Sequence, residues 1–352
     1  MPDIEALDPN MAAADPEGDW LWFDATHLTL EGRTWTGPEK PFDRLPARAK
    51  RLVDEAVWNL GTCSAGLAVR FLTDAARLAA RWEFNGYEPP MDHMAATGSC
   101  GLDLYVRHEG RMKFAAVGRV IEQPPRHEFF RDAAKARREF TVYLPLYKRV
   151  TKLEIGIPPG ATLTPAPERT DKPIACYGTS IVHGGCASRP GMAYPAQLGR
   201  RFDRPVLNLG FSGNGRMQPE VVELLCELDP ALYLVDCLPN MTAEVAAERV
   251  EPTVRRLREA RPQTPIVLVD NILYTNAHLL TGRREHHDKA NAAQHVAIQR
   301  VQDDGLAGIY TIEDESLIGD DDEGTIDGVH PTDLGFSRMA KAIGDGLAPL
   351  LG

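Results

Sequence analysis

Between residues 65 and 157 the apolar positions recur at every second residue, in short runs. "AGLAVRF" (65–71), "ARLAARWEF" (76–84), "GLDLYVR" (101–107), "KFAAVGRV" (113–120), "EFTVYLPL" (139–146) and "KLEIGI" (152–157) each show this period. A two-residue period puts one face of a strand in a core and the other toward solvent. Turn residues such as "NG", "HEG" and "EPP" separate the runs. Several short alternating strands at this spacing predict an antiparallel β-sandwich. "RLPARAKRLVDEAVWNL" (44–60) fits either a short helix or an edge loop.

After a stretch rich in proline, threonine and glycine, "PPGATLTPAPERTDKP" (158–173), the pattern changes. "PIACYG" (173–178), "PVLNLG" (205–210), "ALYLVDC" (231–237), "PIVLVDN" (265–271) and "GIYTIED" (308–314) are continuously apolar and short. Between and after them lie amphipathic stretches at 193–202, 218–228, 243–260, within 282–304, and at 333–351. Continuous apolar strands alternating with helices predict βαβ units, with a parallel sheet covered on both faces. The expected organisation is a tail over 1–19, a sandwich over 20–160, a linker over 161–172 and an α/β domain over 173–352.

Composition narrows the picture. The chain has 352 residues, enough for two cores, and its 43% hydrophobic and 25% charged content is an ordinary globular balance. A formal charge of −11 leaves no basic surplus to neutralise phosphates, so neither a nucleic acid nor an acidic membrane is an expected partner. The N-terminus has no basic leader before an apolar core, and no run is long enough to span a bilayer. A soluble, cytoplasmic chain is expected, although a secreted one stripped of its leader would read the same. Six cysteines are widely spaced with no C-x-x-C pair, so buried thiols are expected rather than zinc ligands or disulfides. Cys186 stands apart, because its loop "HGGCASRPG" lies close to the candidate chemistry.

In parallel sheets, ligands gather beyond the carboxyl ends of the strands. The first strand there runs into "GTSIVHGG" with Ser180, the second into "GFSGNG" with Gly213 and Asn214, and the third into "LPNM" with Asn240. The last leads through an acidic loop to "DGVHPTD". A serine hydroxyl attacks a carbonyl only when an imidazole takes its proton, and the imidazole needs an acid to fix its tautomer. In D-x-x-H one turn brings the Asp327 carboxylate to one ring nitrogen of His330 and leaves the other for Ser180. The oxyanion needs donors, for which the Ser180 and Gly213 N–H groups and the Asn240 amide are candidates.

"YGTS", "GFSGNG", "LPN" and "DGVHP", in this order on this α/β pattern, resemble the four blocks of the SGNH (GDSL-like) hydrolases. "GLDLY" (101–105) is similar to the G-x-D-L-Y segment of a β-sandwich domain that precedes one SGNH subgroup. Two positions depart from the wider family. Thr179 stands where it has an aspartate, and L-P-N-M stands where it has G-x-N-D. The resemblance implies a flavodoxin-like three-layer α/β/α domain behind a jelly-roll-like sandwich. It also implies ester substrates, with Ser180, Gly213, Asn240 and His330 in the family's four roles and Asp327 beside the histidine. More weakly, the sandwich implies short-acylated, O-acetylated carbohydrates. The chemistry calls for no cofactor or metal. An acyltransferase using the same triad and a non-catalytic glycan-binding protein are the alternatives.

Several other residues carry competing readings. Ser212 reads as a turn residue, since "GFSGN" lacks the last glycine of a nucleophile elbow. Asn214 is expected to cap the following helix rather than hold the Gly213 loop. His183 is expected on a surface loop, and His286 and His287 on a solvated helix face. "GDDDEGTIDG" (319–328) reads as a polar loop, with calcium a minor possibility because its spacing does not fit the usual loop. Aromatics on a sandwich can stack on sugars, but alternation points Trp82 inward.

Overall fold

A computed structural model describes residues 12–14, 18–313 and 317–351. Most of the expected 1–19 tail therefore lies outside the described residues, as does Asp314 at the end of the last strand run. The chain forms two compact units. One comprises the described residues up to Ala47, Thr62–Thr170 and Ser188–Gly191. The other comprises Arg48–Gly61, Asp171–Ala187 and Met192 onward.

The first unit is an antiparallel sandwich. One sheet runs in the order β1 (Ala12–Ala14), β2 (Leu21–Asp24), β10 (Val150–Ile157), β5 (Leu78–Phe84), β8 (Arg126–Phe130). The other runs β11 (Leu163–Pro165), β4 (Ala68–Thr73), β9 (Arg138–Tyr143), β6 (Leu102–His108), β7 (Arg111–Gly118), with β3 (Thr29–Glu31) also on β4. Alternation builds the core as expected. Leu78, Ala80 and Trp82 of β5 and Leu153, Ile155 and Ile157 of β10 face Val69, Phe71, Leu104, Phe140 and Val142 of the other sheet. The opposite face of β5 carries Ala79 under Trp20 and Trp22. Both indoles are buried, roofed by guanidinium groups: Arg77 sits 4.7 Å over Trp20, and Arg81 and Arg126 sit 4.5 and 5.1 Å over Trp22. β11 falls inside the stretch read as linker. It is only three residues long and sits at a sheet edge, where Pro165 costs no ladder bond, so its signal is weak.

The G-L-D-L-Y segment lies on β6. Asp103 is fully buried and accepts hydrogen bonds from Arg189 Nη1 (2.8 Å) and the Gly191 N–H (2.8 Å). The same Nη1 donates to the Tyr105 hydroxyl at 2.6 Å, and the guanidinium lies 4.2 Å from the Phe114 ring centroid. The first unit also holds a short helix, α2 (Ala96–Ser99).

The ambiguous 44–60 stretch forms a 3₁₀ turn at Ala47–Arg51 and α1 (Glu55–Gly61), and the second unit takes it from Arg48 onward. Its parallel sheet has the order β13 (Val206–Gly210), β12 (Ile174–Gly178), β14 (Leu232–Asp236), β15 (Ile266–Val269), β16 (Ile309–Ile312). In sequence order this is 2-1-3-4-5, the flavodoxin-like arrangement. After β12 come a single turn, α3 (Ser180–His183), and α4 (Tyr194–Arg201). Then follow α5 (Pro219–Cys226), α6 (Ala243–Ala260), α7 (Thr281–Asp303) and α8 (Asp333–Leu351). α4 packs on α8, and α5, α6 and α7 pack in series, giving the two helical layers.

α6 and α8 bury apolar stripes at three- and four-residue spacing, such as Val250, Val254 and Leu257, or Phe336, Met339 and Ile343. α7 differs: His287, Asn291 and Gln294 lie on its buried face. Asn291 Oδ1 accepts the Asn271 N–H at 2.8 Å, and Gln294 Nε2 donates to the Val269 carbonyl at 3.2 Å. A buried face that is partly polar blurs the apolar period, which explains the vague sequence limits of this helix.

Candidate active site

β12 is flanked by β13 and β14, with Gly178 opposite both Gly210 and Asp236. Chain order reverses at β12, which makes the end of this strand a switch point and opens a crevice there. Three turns meet around it. Ser180 follows Gly178 by two residues, Gly213 follows Gly210 by three, and Asn240 follows Asp236 by four. The Phe211 N–H donates to the Gly178 carbonyl at 2.8 Å and ties the second turn to the first.

Ser180 opens α3. Thr179 caps this turn, its hydroxyl accepting the Ile181 N–H at 3.2 Å, so threonine does locally what an aspartate could do there. From the far end of the sequence, residues 324–332 form a tight hairpin. The Ile326 N–H donates to the His330 carbonyl at 2.9 Å, and the Thr332 N–H to the Gly324 carbonyl at 2.9 Å. At its tip Gly328 has φ +91°, and a Cβ there would collide with the Asn276 and Arg283 side chains. Glycine is therefore required by both conformation and space.

This hairpin carries the acid and the imidazole. Asp327 Oδ2 lies 2.7 Å from His330 Nδ1, and Ser180 Oγ lies 2.9 Å from His330 Nε2. Asp327 Oδ1 also accepts the N–H groups of Val329 (2.9 Å) and His330 (2.8 Å). Burial disfavours the Asp327 charge, but the hydrogen bonds from the His330 ring and from these two backbone groups outweigh it and hold the carboxyl down to about 2. A charged carboxylate only accepts, so His330 Nδ1 carries the proton, and in the neutral ring Nε2 is the acceptor for the serine hydroxyl.

Gly213 sits in the turn after β13 at φ +69°, with open space where a side chain would be. Backbone conformation, not crowding, demands glycine here. Asn240 ends a 3₁₀ turn, Leu238–Asn240, and its Oδ1 is buried without a hydrogen-bond partner among the described residues. Asn214 does not cap the next helix; Gln218 occupies that position. Asn214 holds the Gly213 turn instead, donating from Nδ2 to the Ser212 carbonyl at 2.9 Å, while Gln218 Nε2 donates to the Asn214 carbonyl at 2.8 Å. The turn doubles back before the helix begins, which removes Asn214 from capping range.

Two histidines also differ from expectation. His183 is fully buried, because it closes α3 beneath the loop rather than on it. His287 is buried against Asn291, its Nδ1 2.7 Å from Asp288. His286 stacks on Tyr274 with ring centroids 6.2 Å apart. The acidic stretch 319–328 divides its carboxylates: Asp321 pairs with Arg338 (2.6 and 2.7 Å) and Asp327 with His330. Cys186 does lie beside His330. Its Sγ is within 4.8 Å of a His330 ring nitrogen, at a backbone φ of +72°. Burial, helped by the Asp327 charge, pushes its thiol up to about 12, so it is no thiolate nucleophile.

Asp236 carries no signal in the sequence. It is buried at the end of β14 and takes a 3.0 Å hydrogen bond from the Tyr194 hydroxyl. Burial pushes its carboxyl up to about 7, against the effect of that bond. In "LYLVDC" an acid closing an apolar run looks like an ordinary strand end.

Residues 171–347 match the GDSL-like lipase/acylhydrolase family, and residues 20–163 match the GxDLY domain found at the N-terminus of SGNH hydrolase-type esterases. The chain belongs to the GDSL-like lipase/acylhydrolase family. A crystal structure of a GDSL-like lipase from Bacteroides ovatus is similar at 33% identity and TM-score 0.89, covering 95% of this chain and 98% of its own. The salicylyl-acyltransferase SsfX3 from a tetracycline biosynthetic pathway shares the fold at 18% identity and TM-score 0.72, covering 94% of this chain and 99% of its own. A family two carbohydrate esterase from Cellvibrio japonicus shares it at 14% identity and TM-score 0.60, covering 94% and 97%. Among curated proteins, none matches the sequence. Among the described residues of this GDSL-like protein, no helix is long and apolar enough to cross a membrane.

Proposed function

We propose that the protein is a serine ester hydrolase working through an acyl-enzyme. Ser180 Oγ attacks the ester carbonyl carbon as His330 Nε2 takes its proton. Asp327 keeps the ring in the attacking tautomer and stabilises the imidazolium that forms. The N–H groups of Ser180 and Gly213 and the Asn240 amide hold the negative oxygen. His330 then gives its proton to the departing alcohol. Water, activated by the same nitrogen, releases the acid and restores the serine. The observation that carries this reading is the unbroken line of contacts from Asp327 through His330 to Ser180, at 2.7 and 2.9 Å.

The substrate class we propose is short acyl esters of carbohydrates. Support comes from the Cellvibrio japonicus carbohydrate esterase and from an acetyl xylan esterase of Butyrivibrio proteoclasticus, which has the same fold at TM-score 0.56 and 12% identity. The likeness to a salicylyl-acyltransferase supports a second reading, in which an acceptor alcohol replaces water.

The test is a panel of acetyl, butyryl and longer esters on sugar and phenol leaving groups, with Ser180→Ala as control. Short chains on sugars are expected to turn over fastest, and the variant to lose roughly 10⁴-fold or more in kcat. Full activity in the variant rules out Ser180 as nucleophile. Faster turnover of long chains rules out the short-acyl carbohydrate class. An acyl product that grows with added acceptor alcohol selects the transferase reading.

A further inference from the structure

The hairpin bearing Asp327 and His330 leans on the loop between β15 and α7. The Thr275 and Thr325 hydroxyls share a 2.6 Å hydrogen bond, and Thr325 Oγ1 accepts the Gly328 N–H at 3.1 Å. Next to them, Arg283 Nη1 stands 2.5 Å from where a Gly328 side chain would begin. The same nitrogen donates to Asn276 Oδ1 at 2.6 Å, and the guanidinium lies 5.6 Å from the Tyr274 ring centroid.

Arg255, Arg256 and Arg338 of this unit pair with the carboxylates of Glu251, Glu223 and Asp321, while Arg258 and Arg261 spend their N–H groups on main-chain carbonyls. Arg283 has no carboxylate partner among the described residues; its neighbours are an amide and a phenol ring. In a chain with 50 acidic residues and a net charge of −11, Arg283 meets the hairpin that bears Asp327 and His330, at Gly328, with no carboxylate on it. It is also held in place, since stacking on Tyr274 and the bond to Asn276 restrict its rotation. A guanidinium has five N–H donors in a planar fork, and the remaining ones suit a carboxylate in two-point contact. The same two loops carry exposed apolar side chains, with Leu279, Leu280 and Ile326 exposed by 73%, 43% and 51%.

We infer that Arg283 binds a carboxylate on the substrate, so that the esters this site prefers are acidic ones, such as an O-acylated sugar acid. This rests on the reading of Ser180 as the nucleophile. A fixed, half-buried cation favours the ionised ligand over its neutral counterpart, and the preference weakens with salt.

The test compares two matched pairs. O-acetylated glucuronic acid is set against its methyl ester, placing the charge on the alcohol side. The 4-methylumbelliferyl succinate half-ester is set against the butyrate, placing it on the acyl side. The readout is the acidic-to-neutral ratio of kcat/KM on one preparation, in which any inactive fraction cancels. Wild type is expected to favour the acidic member of the sugar pair by roughly tenfold or more. Arg283→Gln should bring that ratio near one, and Arg283→Lys should keep part of it. A preference in the succinyl pair that Arg283→Gln abolishes also supports the contact and moves the charge to the acyl side. No acidic preference in either pair, or one that Arg283→Gln leaves intact, overturns the inference. Turnover of the neutral esters that survives Ser180→Ala would instead sink the nucleophile assignment.

Discussion

Ser180 and His330 are 150 residues apart in sequence and 2.9 Å apart in space. The parallel sheet makes this possible: one residue follows its first strand, and the other enters its last helix. In the mechanism we propose, neither side chain has to move for the proton to pass between them. The remaining chemistry depends on how well the surrounding groups hold this pair.

Asp327→Asn keeps the shape of the hairpin but replaces an acceptor with an amide that can donate to Nδ1, favouring the wrong tautomer. A loss of about 10⁴-fold in kcat is expected, with little change in KM. The pH dependence of stability has a definite sign. The folded carboxyl lies at about 2, below its unfolded value near 3.9, so its stabilisation is full above that unfolded value and disappears as pH falls toward 2. Melting temperatures of wild type and variant should therefore converge between pH 4 and 2. A gap that stays constant over that range would contradict the assignment.

Asn240 separates activity from stability. Its Oδ1 is buried without a partner, so Asn240→Ala removes an unsatisfied acceptor and should change the urea midpoint by little. If its amide holds the oxyanion, kcat should fall by about 10²–10³. A variant that is strongly destabilised but retains kcat would show Asn240 to be structural.

Asp236 should set a slope in stability around neutral pH. Its folded carboxyl is raised to about 7, above the unfolded value near 3.9, so the folded state holds the proton more tightly. Its contribution is most favourable below pH 4, declines as pH rises to about 7, and is level beyond. Asp236→Asn removes that decline. Relative to wild type, the variant should gain stability from pH 4 to pH 8, on the order of 2–4 kcal/mol, in urea unfolding across that range. Parallel curves for the two proteins would show that Asp236 ionises as easily when folded as when unfolded.

Two glycines with positive φ should respond differently to alanine. At Gly213 the space is open, so only backbone strain opposes the change, about 1 kcal/mol, while any shift in its N–H should show in kcat. At Gly328 strain combines with collision against Asn276 and Arg283, so a cost on the order of 3 kcal/mol and loss of most activity are expected. Urea midpoints and kcat measured together on both variants check the contrast; equal destabilisation would refute it.

Local periodicity made most of the fold readable. The six alternating runs became β4, β5, β6, β7, β9 and β10, and the five continuous runs became β12 to β16. The contact of Asp327 with His330 was readable because D-x-x-H is a local geometry, and the meeting of His330 with Ser180 because segments beyond the strand ends converge. What stayed hidden depends on neighbours distant in sequence. Asp236 becomes unusual only once Tyr194 and the sheet enclose it. His287 becomes a core residue only because Asn291 faces the same way. The D and Y of G-L-D-L-Y were visible as a signature, but their shared partner Arg189 lies 86 and 84 residues away, beyond any local pattern.

The interleaved membership of the two units sets a practical limit on engineering. No single cut in the gene separates them: ending a fragment at Thr170 strips the sandwich of Ser188–Gly191 and leaves Asp103 buried without the guanidinium it accepts from. Beginning a fragment at Asp171 omits α1 from the α/β unit. A designer who wants either half alone must splice or permute the chain, and swapping sandwiches between homologues requires moving the four-residue graft along with them.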